Sequence, residues 1–152
     1  MKIVLARHDR PAWDFRTPIP GHALAEWLRG EAEAPLDSSP RPGGQLQQLI
    51  RMANSLVASP LRRSQDSAQL LAPAATPLID PCFREAELPC AIRSGLRLRP
   101  DMWASLARSA WFCGWSVGVE SFGAARERAS KAASVLARHA EACGGVYERA
   151  AA

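Results

Sequence analysis

The chain has 152 residues, 47% apolar and 22% charged, with a formal charge of +4 and a pI near 9.2. This composition is that of an ordinary folded chain rather than a disordered one, and the length fits one domain, residues 1–152, without a second. All but Lys2 and Lys131 of the 19 basic residues are arginines, scattered among 15 acids with no basic stripe interleaved with aromatics, so the charge suits anionic ligands and nucleic acid is not an expected partner.

Ile3, Val4 and Leu5 are a short apolar run of the kind a buried strand shows, and the run ends abruptly in Arg7-His8. Open α/β sheets bind ligands beyond the carboxyl ends of their strands, so this pair is a candidate for chemistry as well as for plain solvation. The Pro-rich passage from Asp9 to Gly21 predicts a loop over the mouth of such a site. His22 to Arg29 reads as a short helix with Leu24, Trp27 and Leu28 on one face, Pro35 to Pro42 as a link, and Gly44 to Ala53 as a helix.

Residues 55–59 form a second apolar run, after which Ser59 and Pro60 predict a helix start, with Ser as N-cap and Pro at the first helical position. A helix N-terminus offers free backbone N–H groups, and Arg62 or Arg63 in its first turn adds a guanidinium; a surface Arg pair is the plainer alternative. Thr76 to Ile79 is a third strand candidate, leading to a loop with Glu85 and Glu87, which would otherwise be solvated acids. Asp101 to Phe112 predicts a helix burying Met102, Trp103, Leu106 and Trp111. Glu120 to Cys143 predicts a long helix with an apolar face of Phe122, Ala125, Ala129, Ala132, Ala133 and Leu136, ended by Gly144-Gly145. His139 reads as a surface residue of that helix, and Val146-Tyr147 as the start of another strand.

Cys82, Cys90, Cys113 and Cys143 show no metal spacing and read as thiols in a reducing compartment. Residues 1–5 are too short for a signal peptide, and no run approaches the ~20 residues of a membrane helix, so no membrane partner and a cytoplasmic location are expected.

Three strand ends thus offer Arg7-His8, Arg63 and Glu85. Two guanidiniums and a helix end would hold a phosphate dianion, a histidine would attack phosphorus, and a carboxylic acid would protonate the leaving oxygen. Here the sequence resembles the histidine phosphatase superfamily, the phosphoglycerate mutase-like proteins. The family's apolar strand followed by Arg-His-Gly is similar to Val4-Leu5-Ala6-Arg7-His8-Asp9. Its Ser-x-Leu-x-Arg-Ala-x-Gln-Thr-Ala motif is similar to residues 59–68, in the register that gives Arg63 to the phosphate, and its Leu-x-Glu is similar to Phe83-Arg84-Glu85.

The resemblance implies an α/β three-layer sandwich, a mostly parallel sheet with helices on both faces. It also implies His8 as nucleophile, Glu85 as acid and Arg7 and Arg63 on the phosphoryl oxygens. No metal or cofactor is implied, since guanidiniums supply the electrostatic stabilisation. The expected substrate is a phosphomonoester or phosphohistidine, on a small molecule or a phosphoprotein. Two departures stand out: Asp9 replaces the usual Gly, and no second His-Gly occurs. The expectation is a C-terminally shortened member whose sheet lacks its last strand, covers the gap by dimerising or with its tail, and turns over poorly; a non-catalytic phosphate-binding or interaction protein is the alternative.

Overall fold

Alternation along one strand sets the layers of this protein. The apolar run around Leu56 forms a strand over Ala53–Ala58, and successive side chains of a strand point to opposite faces. Leu56 and Ala58 pack with Ala68 of one helix, whereas Val57 packs with Ala132, Leu136 and Ala140 of another. Residues 56–58 are all buried, as in a parallel strand covered on both faces.

The structure, a computed structural model, describes residues 2–37, 43–142 and 146–151. In chain order the elements are β1 (Lys2–Arg7), β2 (Ile19–Pro20), α1 (Leu24–Glu33), α2 (Gly44–Arg51), β3 (Ala53–Ala58), α3 (Arg62–Leu71), β4 (Leu78–Ile79), β5 (Arg97–Leu98), α4 (Pro100–Phe112), α5 (Phe122–Ala142) and β6 (Val146–Ala151). Among the described residues, one sheet runs in the order β1-β6-β3-β4 with every neighbouring pair parallel, and β2 pairs antiparallel with β5. With α3 on one face of β3 and α5 on the other, this is the three-layer α/β arrangement that the resemblance implies.

The expected loss of the last strand is corrected. Val146–Ala151 lies between β1 and β3, with Ala151 level with Arg7 and Ala150 level with Ala58. Ladder hydrogen bonds come from the backbone, so a segment reading Glu148-Arg149-Ala150 pairs on both edges although it carries little apolar signal. The tail, one of the two covers expected for that gap, pairs there.

The chain divides into two compact units, one of Met1–Ala12, Pro35–Glu85 and Arg128–Ala152, the other of Trp13–Ala34 and Ala86–Glu127. The first holds the four-stranded sheet, with Val57, Phe83, Ala132, Leu136 and Ala140 as its main core. The second is built around Leu24, Trp103 and Ala107, with Ile19, Leu28, Ile92 and Leu98 packed against them. There the Trp103 indole N–H donates to the Ile19 carbonyl at 3.0 Å. Gly30 sits inside α1 because the Trp13 ring passes 2.4 Å from where a Cβ would be.

Helix faces differ from their sequence reading. In α4 the buried stripe is Trp103, Ala107 and Trp111, spaced four apart, while Met102 and Leu106, one helical step away, are exposed. In α5 Ala125, Ala132, Leu136 and Ala140 are buried, and Phe122, Ala129 and Ala133 are exposed. Ala53 opens β3 instead of closing α2. The link at 38–42 and the Gly144-Gly145 stop lie outside the described residues.

Candidate active site

Burial alternates along β1: Ile3, Leu5 and Arg7 are exposed, Ala6 and His8 buried. The strand's own pleat therefore carries His8 inward just past its carboxyl end and leaves Arg7 on the open side. His8 Nδ1 lies 2.6 Å from the Asp9 carbonyl oxygen. A carbonyl only accepts, so Nδ1–H donates and Nε2 keeps its lone pair. Burial pushes the His8 pKa below its ordinary 6.5, and the charges of Arg63 and Arg7 push the same way, against the Asp9 carbonyl and Glu85. The result is a neutral imidazole with a fixed tautomer.

Asp9 is tied down at three points. Its N–H donates to Ser67 Oγ at 3.2 Å, its carbonyl holds His8, and its Oδ1 accepts the Arg10 N–H at 2.7 Å. The carboxylate at the position of the family's glycine is thus folded back on the next peptide. No described non-glycine residue has positive φ, so this turn does not require a glycine.

Helix α3 starts two residues later than the Ser59-Pro60 reading. Leu61 is its N-cap, with no side-chain cap; Ser59 Oγ instead accepts the Leu61 N–H at 3.4 Å, and Ser64 Oγ accepts the Ser59 N–H at 3.2 Å. The two buried serines brace the strand-to-helix turn from both sides, replacing the cap. The outcome for the arginines is unambiguous. Arg63 is buried, its Nη2 3.4 Å from Glu85 Oε2, while Arg62 is exposed and pairs with Asp66 four residues on.

Glu85 lies beyond a short 3₁₀ turn, Pro81–Phe83, with its side chain 47% exposed. Asp80 Oδ1 caps that turn by accepting the Cys82 N–H at 2.8 Å, which with the Cys82 thiol holds the Asp80 carboxyl below its usual range. Phe83 is fully buried. From α5, Arg128 Nη1 donates to the Cys82 and Arg84 carbonyls at 3.1 and 2.6 Å. His139, half-buried on the same helix, acts electrostatically on Asp80.

Arg7, Arg63 and Glu85 all act on the His8 ring. The structure brings together the four residues named from the sequence, His8 and Arg63 buried, Arg7 and Glu85 exposed. Ser67 and Arg128 are additions. Ser67 sits within the second motif, but nothing in the sequence couples Arg128 to Glu85. Among the described residues no group of three His, Cys, Asp or Glu could hold a metal ion, and no helix is long and apolar enough to cross a membrane. Cys82, Cys90 and Cys113 form no disulfide; Cys143 lies outside the described residues. A neutral imidazole nitrogen beside two cations and a carboxyl can bind an oxyanion, attack it, and pass a proton to what leaves.

Solved structures with this arrangement of elements decide the fold. The chain superposes on mycobacterial glucosyl-3-phosphoglycerate phosphatase with TM-score 0.61 and 22% identity, over 98% of this chain and 72% of that one. The α-ribazole phosphatase of Shigella flexneri gives 0.58 and 19%, over 99% and 74%, and a putative α-ribazole-5'-P phosphatase of Escherichia coli K-12 gives 0.54 and 19%, over 99% and 74%. The fold is that of the histidine phosphatases. The chain spans about three quarters of the length of these histidine phosphatase-fold neighbours. No protein-family model matches the chain, and no curated protein does.

Proposed function

We propose that this chain is a histidine phosphatase acting on a phosphomonoester or a phosphohistidine, and that His8 carries the phosphoryl group. The observation behind this reading is the His8 tautomer: Nδ1–H is committed to the Asp9 carbonyl, leaving Nε2 as a nucleophile beside Arg63 and Arg7. Nε2 attacks phosphorus as the bond to the leaving oxygen breaks, and that oxygen takes its proton from the Glu85 carboxyl. Water then attacks the phosphohistidine, the Glu85 carboxylate takes a proton from it, and phosphate leaves with Nε2 restored. Arg7 and Arg63 carry the charge on the transferring oxygens throughout, and no cofactor enters. The partner is a phosphorylated small molecule or a phosphoprotein.

These 152 residues contain no His-Gly dipeptide, so turnover is expected to be slow; a missing preorganised donor costs roughly 10² to 10³ in rate. The test is hydrolysis of p-nitrophenyl phosphate by the purified chain, with acid quenching during turnover. Vanadate belongs in the assay, since a mycobacterial neighbour was solved as a complex with VO3. Acid-labile phosphate on the wild type and none on His8→Ala, whose turnover is abolished, is the expected outcome. Phosphate binding by calorimetry without any turnover would favour the non-catalytic interaction protein.

A further inference from the structure

Arg128 occupies a place where an apolar residue is expected. Along α5 the buried face runs through Ala125, Ala132, Leu136 and Ala140, and the step between the first two falls at 128 or 129. Ala129 is exposed; the half-buried residue is Arg128. Its Nη1 carries two hydrogens, and it reaches two acceptors, the Arg84 carbonyl at 2.6 Å and the Cys82 carbonyl at 3.1 Å.

Those carbonyls bracket Phe83, the fully buried anchor of the turn, and Glu85 is the next residue along. A hydrogen bond from a charged donor is stronger than a neutral one. An alanine at 128 would continue the stripe as Ala125 and Ala132 do, so packing does not call for a guanidinium there; the two loop carbonyls do. With its own side chain half in solvent, Glu85 depends for its position on the backbone that carries it.

We propose that Arg128 is a positioning residue that fixes the Cys82–Arg84 backbone so that the Glu85 carboxyl meets the leaving oxygen, an inference that rests on the acid role given to Glu85 above. The leaving group separates this role from a general structural one. p-Nitrophenolate departs without a proton, whereas an alkoxide requires one, so a displaced acid slows an alkyl phosphate selectively.

In Arg128→Gln, kcat/KM for glycerophosphate should fall about 10- to 100-fold, up to the lower end of what general acid catalysis supplies, while kcat/KM for p-nitrophenyl phosphate, which ends at loss of nitrophenolate and omits the water step, changes little. Glu85→Gln should lose kcat/KM for glycerophosphate at least as strongly, and adding Arg128→Gln to it should cost nothing more. Equal slowing of both substrates, or additive effects in the double variant, would overturn the proposal. If the wild type hydrolyses neither substrate, the functional reading fails, and hydrogen exchange then decides on Arg128 alone. Faster exchange at residues 82–87 in Arg128→Gln, with β3 unchanged, upholds the positioning; unchanged exchange at 82–87 refutes it.

Discussion

The two compact units are built from different materials. All five tryptophans fall in the unit of residues 13–34 and 86–127, while Arg7, His8, Arg63 and Glu85 fall in the unit that holds the parallel sheet. The sheet unit relies on small residues: Ala58, Ala68, Ala132 and Ala140 in its core, and the buried Ser59, Ser64 and Ser67 around its site. Small side chains let backbone segments approach closely enough for Ser67 to reach Asp9 and Arg128 to reach Arg84. The other unit puts the rings of Trp103 and Trp111 in its core, each donating its indole N–H to a backbone carbonyl, and a fully buried ring of this size removes about 150–250 Å² from water. Geometry in the first is specified by hydrogen bonds, and stability in the second by apolar area.

That contrast is tested hardest by Trp103→Ala. The ring is buried against Leu24 and Ala107, and its N–H is satisfied by Ile19, so the change removes apolar contact and leaves a cavity and an orphaned carbonyl. The expected cost is about 3–5 kcal/mol. For a chain of this length that lowers the thermal midpoint by roughly 10 °C or more in calorimetry. Below the transition, the nitrogen NMR signals of the His8 ring should be unmoved. A loss under about 1 kcal/mol would show that the ring-built unit does not take its stability from its rings.

A smaller effect in the opposite place is expected of Ser67→Ala. The change leaves the Asp9 N–H without its acceptor, an omission worth roughly 1–3 kcal/mol in a buried setting. Because Asp9 also supplies the carbonyl that fixes Nδ1–H, the His8 ring nitrogens should show a mixture of tautomers by NMR, with tryptophan emission unchanged. Ser67→Thr retains the oxygen and should restore a single tautomer. A single, unshifted tautomer in Ser67→Ala would mean that Asp9 is held by its other contacts.

Legibility in the sequence followed the same division. Strand ends were readable because a parallel strand shows as an apolar run and chemistry sits where the run stops, which placed β1, β3 and His8; β1 nevertheless leaves Ile3 and Leu5 exposed, and the choice of Arg63 over Arg62 came from the motif resemblance. The face of α5 was not, because alanine is apolar enough to suggest a stripe and small enough to tolerate solvent, so Ala129 and Ala133 looked equivalent to Ala132. Arg128 was invisible for the same reason: its partners are backbone carbonyls, which every sequence possesses. Met102 and Leu106 misled in the ring-built unit, where Ala107 completes the buried stripe and two larger apolar residues lie outside it.

The smallest effect, and the one that sets the two units against each other most directly, is mild acid. The folded pKa of His8 lies below 6.5, chiefly because burial disfavours its charged form. As pH falls from neutrality the unfolded chain therefore takes up this proton first, near pH 6.5, and the folded chain only at lower pH. The stability tied to neutral His8 is complete above pH 6.5, declines between there and the folded value, and is fully lost below it. In the other unit Asp14 is held below 3.8 by hydrogen bonds from Thr17 and Arg16, so its stabilising contribution persists until pH falls under about 4. Asp80 in the sheet unit behaves like Asp14, and among these three displaced groups only His8 titrates between. Going from about pH 7.5 to about pH 5 should thus raise hydrogen exchange at β3 amides, after correction for the intrinsic rate, while tryptophan emission, which reports the other unit alone, stays constant. His8→Ala should remove the pH dependence. If emission shifts before exchange rises, or if the dependence survives in His8→Ala, the acid sensitivity lies elsewhere than the buried histidine.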